Sequence, residues 1–251
     1  MKVYSLSMES SAQIDIPGQK TLEAISSAHR FNDWMVNTIK PFCKGHVLEV
    51  GCGIGNISKL LIKNNFKVTL SDYSDQYFDI LRKDFGDNGK IENIHKVDLV
   101  EKNFESVNAN LLSKFDTIIA MNVVEHIFDD HMAIRNCRKM LAPGGHLIIL
   151  VPAYQLLFNS FDKELVHFRR YTKKTLTKLF EDENFEIIHK QYFNAAGIAG
   201  WYVNGSILKK KLIPEDQMKL FDKLVPAFKL VDKLIANQAG LSVIHVGRKN
   251  S

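Results

Sequence analysis

Short apolar runs alternate with amphipathic stretches from residue 47 onward. Val47-Leu48-Glu49-Val50 suits a buried strand of a parallel sheet, and the glycines Gly51, Gly53 and Gly55 follow at alternate positions. Asn56 or Ser58 is placed to cap the next helix, which carries Ile57, Leu60, Leu61 and Ile62. "FKVTLSD" (66–72) reads as a second strand ending in Asp72, and a helix follows with Ser74 as its expected cap and Tyr77, Phe78, Leu81 and Phe85 on one face. "IENIHKVD" (91–98) alternates like a third strand ending in Asp98. "FDTIIAMNVVEHI" (115–127) holds a fourth through Met121 and then leaves the sheet. A helix over "DDHMAIRNCRKML" stops at "APGG" (142–145), because proline and glycine do not continue it. "HLIILVP" is a fifth strand, "KKTLTKLFEDENF" a helix, "EIIHKQYF" a sixth strand and "LSVIHVGRK" a seventh. The pattern predicts an α/β fold: a Rossmann-like seven-stranded, mostly parallel sheet with helices on both faces and an added cap.

Three segments stand outside the alternation. Residues 1–44 form an N-terminal helical cap segment, with Phe31, Trp34, Met35, Thr38, Ile39 and Phe42 at helical spacing. Within the main domain, 45–251, residues 153–171 and 194–240 are insertions too long for simple connections, and long loops are usually functional. Open α/β sheets bind ligands at the carboxyl ends of their strands, so these segments are expected to form the walls and lid of one pocket. Residues 215–235 carry Phe221, Leu224, Val225, Phe228, Val231 and Ile235 at helical spacing, with lysines largely opposite. A lid helix kinked at Pro226 is the preferred reading over a membrane-surface helix.

Composition narrows the class. No apolar run reaches the length of a membrane span, and the first residues lack the apolar core of a signal peptide. Cys43, Cys52 and Cys137 are scattered, which favours a reducing cytoplasm and argues against a structural zinc site; no metal site is expected. The net charge of +5 is spread along the chain and argues against a nucleic-acid partner.

The glycine turn raises the question of its ligand. Strand, glycine turn and helix is also the arrangement that holds a pyrophosphate in nicotinamide enzymes. Here Asn56 stands where the third glycine of G-x-G-x-x-G belongs, and Glu49 places a carboxylate beside the turn. That carboxylate repels a pyrophosphate but accepts hydrogen bonds from an ammonium group.

These residues resemble the class I S-adenosylmethionine-dependent methyltransferases. "EVGCGIG" matches the acidic residue and G-x-G-x-G of the family's first motif, and Asp72 in "LSDYS" and Asp98 in "KVD" match the acidic ends of the second and third strands. "FDTIIAMNVVEHI" resembles the fourth-strand motif and "LAPGGHLIILVP" the turn into the fifth strand, so the resemblance covers roughly residues 45–152. It implies S-adenosylmethionine as cofactor, with Gly51, Gly53 and Gly55 along its methionine and ribose portions and Glu49 near its ammonium. Asp72 would then accept the ribose hydroxyls, Tyr73 lie on the adenine face and Asp98 take the adenine amino group. Asn122 would face the methionine tail, and Arg30 would cover its carboxylate. For Asp98 a turn or cap role stands beside this one.

Methyl transfer needs alignment of an acceptor and, for a hydroxyl or a protonated amine, a base. His126 and His167 are the candidate catalytic residues; packing that orders the loop is the other reading of His126. "HFRRYT" (167–172) nominates Arg169, Arg170 and Tyr171 for the acceptor, which would be anionic if an arginine faces it. The alternative is that both arginines are surface charges and Tyr171 packs before a capping Thr172. The function expected is methyl transfer to oxygen or nitrogen of a small molecule. A protein or RNA methyltransferase and a non-catalytic S-adenosylmethionine-binding module are the other candidates. Oligomeric state is left open.

Overall fold

The computed structural model describes residues 14–250; residues 1–13 of the expected cap segment lie outside the described residues. Two helices come first, α1 (Ile16–Ser26) and α2 (His29–Ile39). The alternating body follows as β1 (His46–Val50), α3 (Asn56–Lys63), β2 (Lys67–Asp72), α4 (Asp75–Phe85), β3 (Ile91–Lys96) and the short α5 (Phe104–Val107). It continues with β4 (Phe115–Met121), α6 (Asp130–Met140), β5 (Leu141–Pro152), α7 (Ser160–Glu164), α8 (Lys173–Asp182) and β6 (Phe185–Phe193). Helices α9 (Gly197–Trp201) and α10 (Glu215–Leu234) precede the last strand, β7 (Ser242–Lys249).

The strands form one sheet in the order β3-β2-β1-β4-β5-β7-β6. The pairs from β3 through β5 are parallel, while β7 runs antiparallel between β5 and β6. This is the Rossmann-like sheet expected, with one reversed strand. Successive side chains alternate between the faces, so adjacent residues feed two cores. Leu48, Ile118 and Leu147 pack with Phe104, Phe115, Ile134 and Phe180 on one face. Val47, Ile119 and Ile148 pack with Ile39, Leu61, Leu70 and Leu81 on the other.

Several local expectations shift. Helix α3 starts after Gly55 in a left-handed conformation, and Ser58 turns inward to Glu49 instead of capping. Ser74 makes no side-chain capping bond. Strand β3 stops at Lys96, so Asp98 lies in the turn beyond it, and β5 already begins at Leu141. Thr172 does cap α8, through a capping box with Thr175.

The three additional segments meet one another. Ser160 Oγ donates to the carbonyl of Gly205 (2.8 Å), tying residues 153–171 to the first part of the long insertion. Helix α10 packs on α2: the Phe31 and Phe221 rings meet edge-on at 5.5 Å, and Asp222 Oδ1 accepts from the Phe31 amide at 2.9 Å. It continues through Pro226 and leaves Leu220, Leu224, Leu230 and Leu234 exposed on its outer face. Among the described residues, no helix is long and apolar enough to cross a membrane.

Candidate functional site

The carboxyl ends of β1, β2 and β4 converge on the glycine turn. Gly51, Gly53 and Gly55 all have positive φ (68°, 53° and 76°), which an L side chain adopts only with strain. A Cβ on Gly51 would strike the Val123 side chain, and one on Gly55 the Phe85 ring. The result is a strip of bare backbone with a buried carboxylate on each side.

Asp72 ends β2 and is almost fully buried. Its Oδ2 accepts from the Gly53 amide (2.9 Å) and its Oδ1 from the Ser74 amide (3.0 Å). Burial raises its pKa, and these backbone donors oppose the rise. Glu49 lies beneath the turn, where its Oε2 accepts from Ser58 Oγ at 2.6 Å. Burial pushes its carboxyl up to about 7, with the Ser58 and Cys52 hydrogen bonds pulling the other way.

Helix α1, which no periodicity announced, crosses the turn. The Leu22 side chain stands 2.6 Å from where a Gly53 Cβ would be, and Asn56 Nδ2 donates to the Leu22 carbonyl (2.9 Å). Tyr77 donates to Asp15 Oδ2 (2.9 Å) and secures the start of that helix. It is α1 that lies against the turn. Arg30 is exposed at the start of α2, beside Lys219 and Asp222 of α10, so the expectation that it covers the methionine carboxylate is revised. Tyr73 is 52% exposed at the same edge, available to a flat ligand face. Asp98 is exposed, and its Oδ1 accepts from the Val100 amide (2.9 Å), the turn role weighed above. Asn122 sits in a left-handed conformation (φ 55°) just past β4, its amide donating to the Leu150 carbonyl (2.8 Å).

A second polar cluster begins two residues beyond Val123. Glu125 is fully buried, and neither carboxylate oxygen has a hydrogen-bond partner. Burial pushes its carboxyl up to about 8. The rings of His126 and His167 meet edge-on at 4.5 Å; His126 keeps solvent exposure, and the His167 side chain is buried. His167 Nδ1 and Asp162 Oδ1 are 2.8 Å apart, and Arg170 Nε donates to the same oxygen at 2.8 Å.

Two acceptor-contact expectations are therefore corrected. Arg170 points inward, but Asp162 and the Ala153 carbonyl (2.9 Å) take its donors while its guanidinium lies over the Trp201 ring. Tyr171 is buried in the core, its hydroxyl donating to Asp130 Oδ2 at 2.8 Å. Arg169 reaches the outer face, pairing with Asp130 (2.8 Å) and donating to the Phe128 carbonyl (2.6 Å). Sequence reasoning passed over Glu125 and Asp162. The signal for Glu125 was a charged residue directly behind a strand's apolar run, in "NVVEHI".

A family model described as a methyltransferase domain matches residues 28–190, well over half the chain. The chain belongs to this methyltransferase family. Ubiquinone biosynthesis O-methyltransferase of Coxiella burnetii is 32% identical over 106 residues, 41% of this chain and 41% of that protein. The enzyme of the same name from Proteus mirabilis is 28% identical over 123 residues, 47% of this chain and 48% of that one. The chain thus spans under half the length of these curated relatives. Among solved structures, a SAM-dependent methyltransferase from Archaeoglobus fulgidus superposes with a TM-score of 0.57 at 15% identity, covering 88% of this chain and 94% of that one. Phosphoethanolamine N-methyltransferase 2 of Haemonchus contortus, in complex with S-adenosyl-L-methionine, gives 0.56 at 15% identity, covering 90% and 57%. At such identities these structures speak for the fold.

S-adenosylmethionine, the cofactor that the resemblance of the sequence motifs implies, would supply a sulfonium methyl group. The bare glycine strip and the two buried carboxylates fit that group. The strip offers backbone without side chains to a ribose and an amino-acid tail, and Asp72 keeps lone pairs for hydroxyl donors. Asp72→Asn is expected to weaken S-adenosylmethionine binding by one to two decades, about 1.5–3 kcal/mol for hydrogen bonds to a charged group, with the fold retained. Calorimetry on the folded variant checks this, and unchanged affinity would remove Asp72 from the site.

Glu49 yields a pH prediction. Its folded pKa, about 7, lies above its ordinary 4.5, so the stability of the ligand-free protein falls as pH rises across that window. Glu49→Gln should flatten the decline, read by urea melts at pH 5 and pH 8. A cofactor ammonium favours the carboxylate form, so S-adenosylmethionine affinity should rise with pH through about 7 in the parent and not in the variant.

Proposed function

We propose that this methyltransferase transfers its methyl group to a hydroxyl oxygen of a small molecule carrying an apolar or aromatic portion. The observation that carries this reading is the Glu125, His126 and His167 cluster, which follows β4 immediately behind Val123, the residue against Gly51. A group there stands beside the turn assigned to the cofactor, where the methyl would be delivered. The Phe128 and Phe168 rings, both exposed and edge-on at 5.5 Å, offer an apolar rim nearby. The names of the curated relatives support the oxygen acceptor.

In this reading Gly51, Gly53, Gly55, Glu49 and Asp72 hold the cofactor, with Tyr73 and Asn122 at its edges. Residues 14–44, 153–171 and 194–240 enclose the acceptor. The Glu125, His126 and His167 cluster faces the hydroxyl, with His126 its more accessible imidazole, and Arg169, paired with Asp130, is the more exposed arginine beside an anionic substituent. A small acceptor agrees with the modest charge of +5, and a reducing cytoplasm with three free cysteines.

The test is to incubate the protein with S-adenosylmethionine and separate panels of phenols, aliphatic alcohols, amines, peptides and RNA. S-adenosylhomocysteine and the methylated product are then read by mass spectrometry. Methylation of hydroxyl compounds is the expected result. Methylation confined to amines, peptide or RNA would defeat the reading.

A further inference from the structure

We propose that Glu125, His126 and His167 form a binding site for one divalent first-row transition-metal ion, which holds the acceptor's hydroxyl oxygen. One carboxylate and two imidazoles each bring a ligand atom within 4.8 Å of the other two. A tetrahedral cation bonded at roughly 2.0–2.2 Å to each donor needs donors about 3.3–3.6 Å apart, so a pair at the 4.8 Å limit must draw in by roughly an ångström as the ion binds. Two imidazoles with one carboxylate suit zinc, iron, cobalt or manganese better than magnesium, and leave positions open for an acceptor oxygen.

An independent observation points to the same ligand. Glu125 is fully buried with both carboxylate oxygens lacking any partner, a costly arrangement that structures rarely keep without a use. The lone pairs that a cation would take are the ones left empty. The surroundings add the usual supporting layer of a metal site. His167 Nδ1 lies 2.8 Å from Asp162 Oδ1, which orients the ring and leaves Nε2 free. The nearby positive charge of Arg170 is offset by its own pairing with Asp162 at 2.8 Å, so it does not bar a cation.

The ion's assigned role rests on the hydroxyl-acceptor reading above. A coordinated hydroxyl loses its proton to water more readily. The oxygen–carbon bond then forms as the carbon–sulfur bond breaks, and the electron pair of the latter stays on sulfur. This reverses the expectation that the chain has no metal site.

The closing experiment uses tag-free protein stripped with a chelator and titrated with Mn2+, Zn2+ and Co2+ in the absence of cofactor and acceptor. Calorimetry and the visible absorption of Co2+ should report one equivalent bound. Glu125→Gln and His126→Ala should each weaken binding at least a hundredfold. His126 is exposed and the glutamine keeps the shape of Glu125, so both variants are expected to fold, as circular dichroism would verify. His131→Ala, on α6 against Glu183, should bind like the parent. Parent protein that binds no more metal than these two variants would overturn the site. Because this titration needs no acceptor, its failure is separate from failure of the hydroxyl reading. Once an acceptor is known, a rate that drops at least tenfold on chelation and returns with Mn2+ or Zn2+ supports the role. A rate indifferent to chelation overturns it.

Discussion

Gly53→Val is expected to abolish S-adenosylmethionine binding while the sheet stays assembled. Gly53 has φ +53°, where a β-branched residue is strained by about 1–3 kcal/mol. The new Cβ would also stand 2.6 Å from the Leu22 side chain, so that side chain must swing aside or the turn must move. Either movement disturbs the strip that meets the ligand, and the Gly53 amide loses its alignment on Asp72. The core beneath is untouched, because Val47, Leu48 and Val50 pack below the turn. Calorimetry should show no binding at a hundred times the parental dissociation constant, with a circular dichroism spectrum like the parent's. Gly89→Ala is the control, since a Cβ there meets nothing within 4 Å. A Gly53→Val protein with parental turnover would mean that the glycine turn is not the cofactor loop.

What the chain discloses before folding follows the reach of its signals. Strand runs such as "TIIAM" and "HLIILV" were legible because fully buried parallel strands are continuously apolar. The glycine turn was legible because only glycine tolerates its backbone. Helix α1 was not, since "IPGQKTLEAIS" carries Pro17, Gly18 and few apolar residues and buries only Thr21 and Ala24. Its position depends on single contacts such as Leu22 over Gly53. Nor did adjacency in "HFRRY" disclose that Arg170 turns inward to Asp162, eight positions earlier in an aperiodic segment. Charge suggested an anion site at a place where the fold had already supplied the counter-ion. Glu125 gives no signal in the sequence because its significance lies in the absence of a partner, which only the packed fold reveals.

That internal counter-ion sets the largest stability effect expected in the molecule. Asp162 and Arg170 are 0% and 1% exposed and joined at 2.8 Å. Asp162 also accepts from the Asn159 amide (2.9 Å) and pairs with His167, so it fastens α7, the loop after it and the start of α8 around one carboxylate. Burial opposes its charge, yet His167 and Arg170 outweigh that and hold its pKa below the ordinary value. Asp162→Ala would leave the Arg170 guanidinium buried with the Ala153 carbonyl and the Trp201 ring as its remaining partners. Breaking a buried pair in this way costs about 3–5 kcal/mol, which corresponds to a fall in Tm of roughly 6–20 °C for a chain of this size. Thermal and urea unfolding would measure it. Removing both charges tests the cause: Asp162→Leu combined with Arg170→Met leaves no orphaned ion and should recover most of the loss. If the single variant melts within about 2 °C of the parent, the pair does not hold this segment, and the loop carrying His167 is anchored by something else.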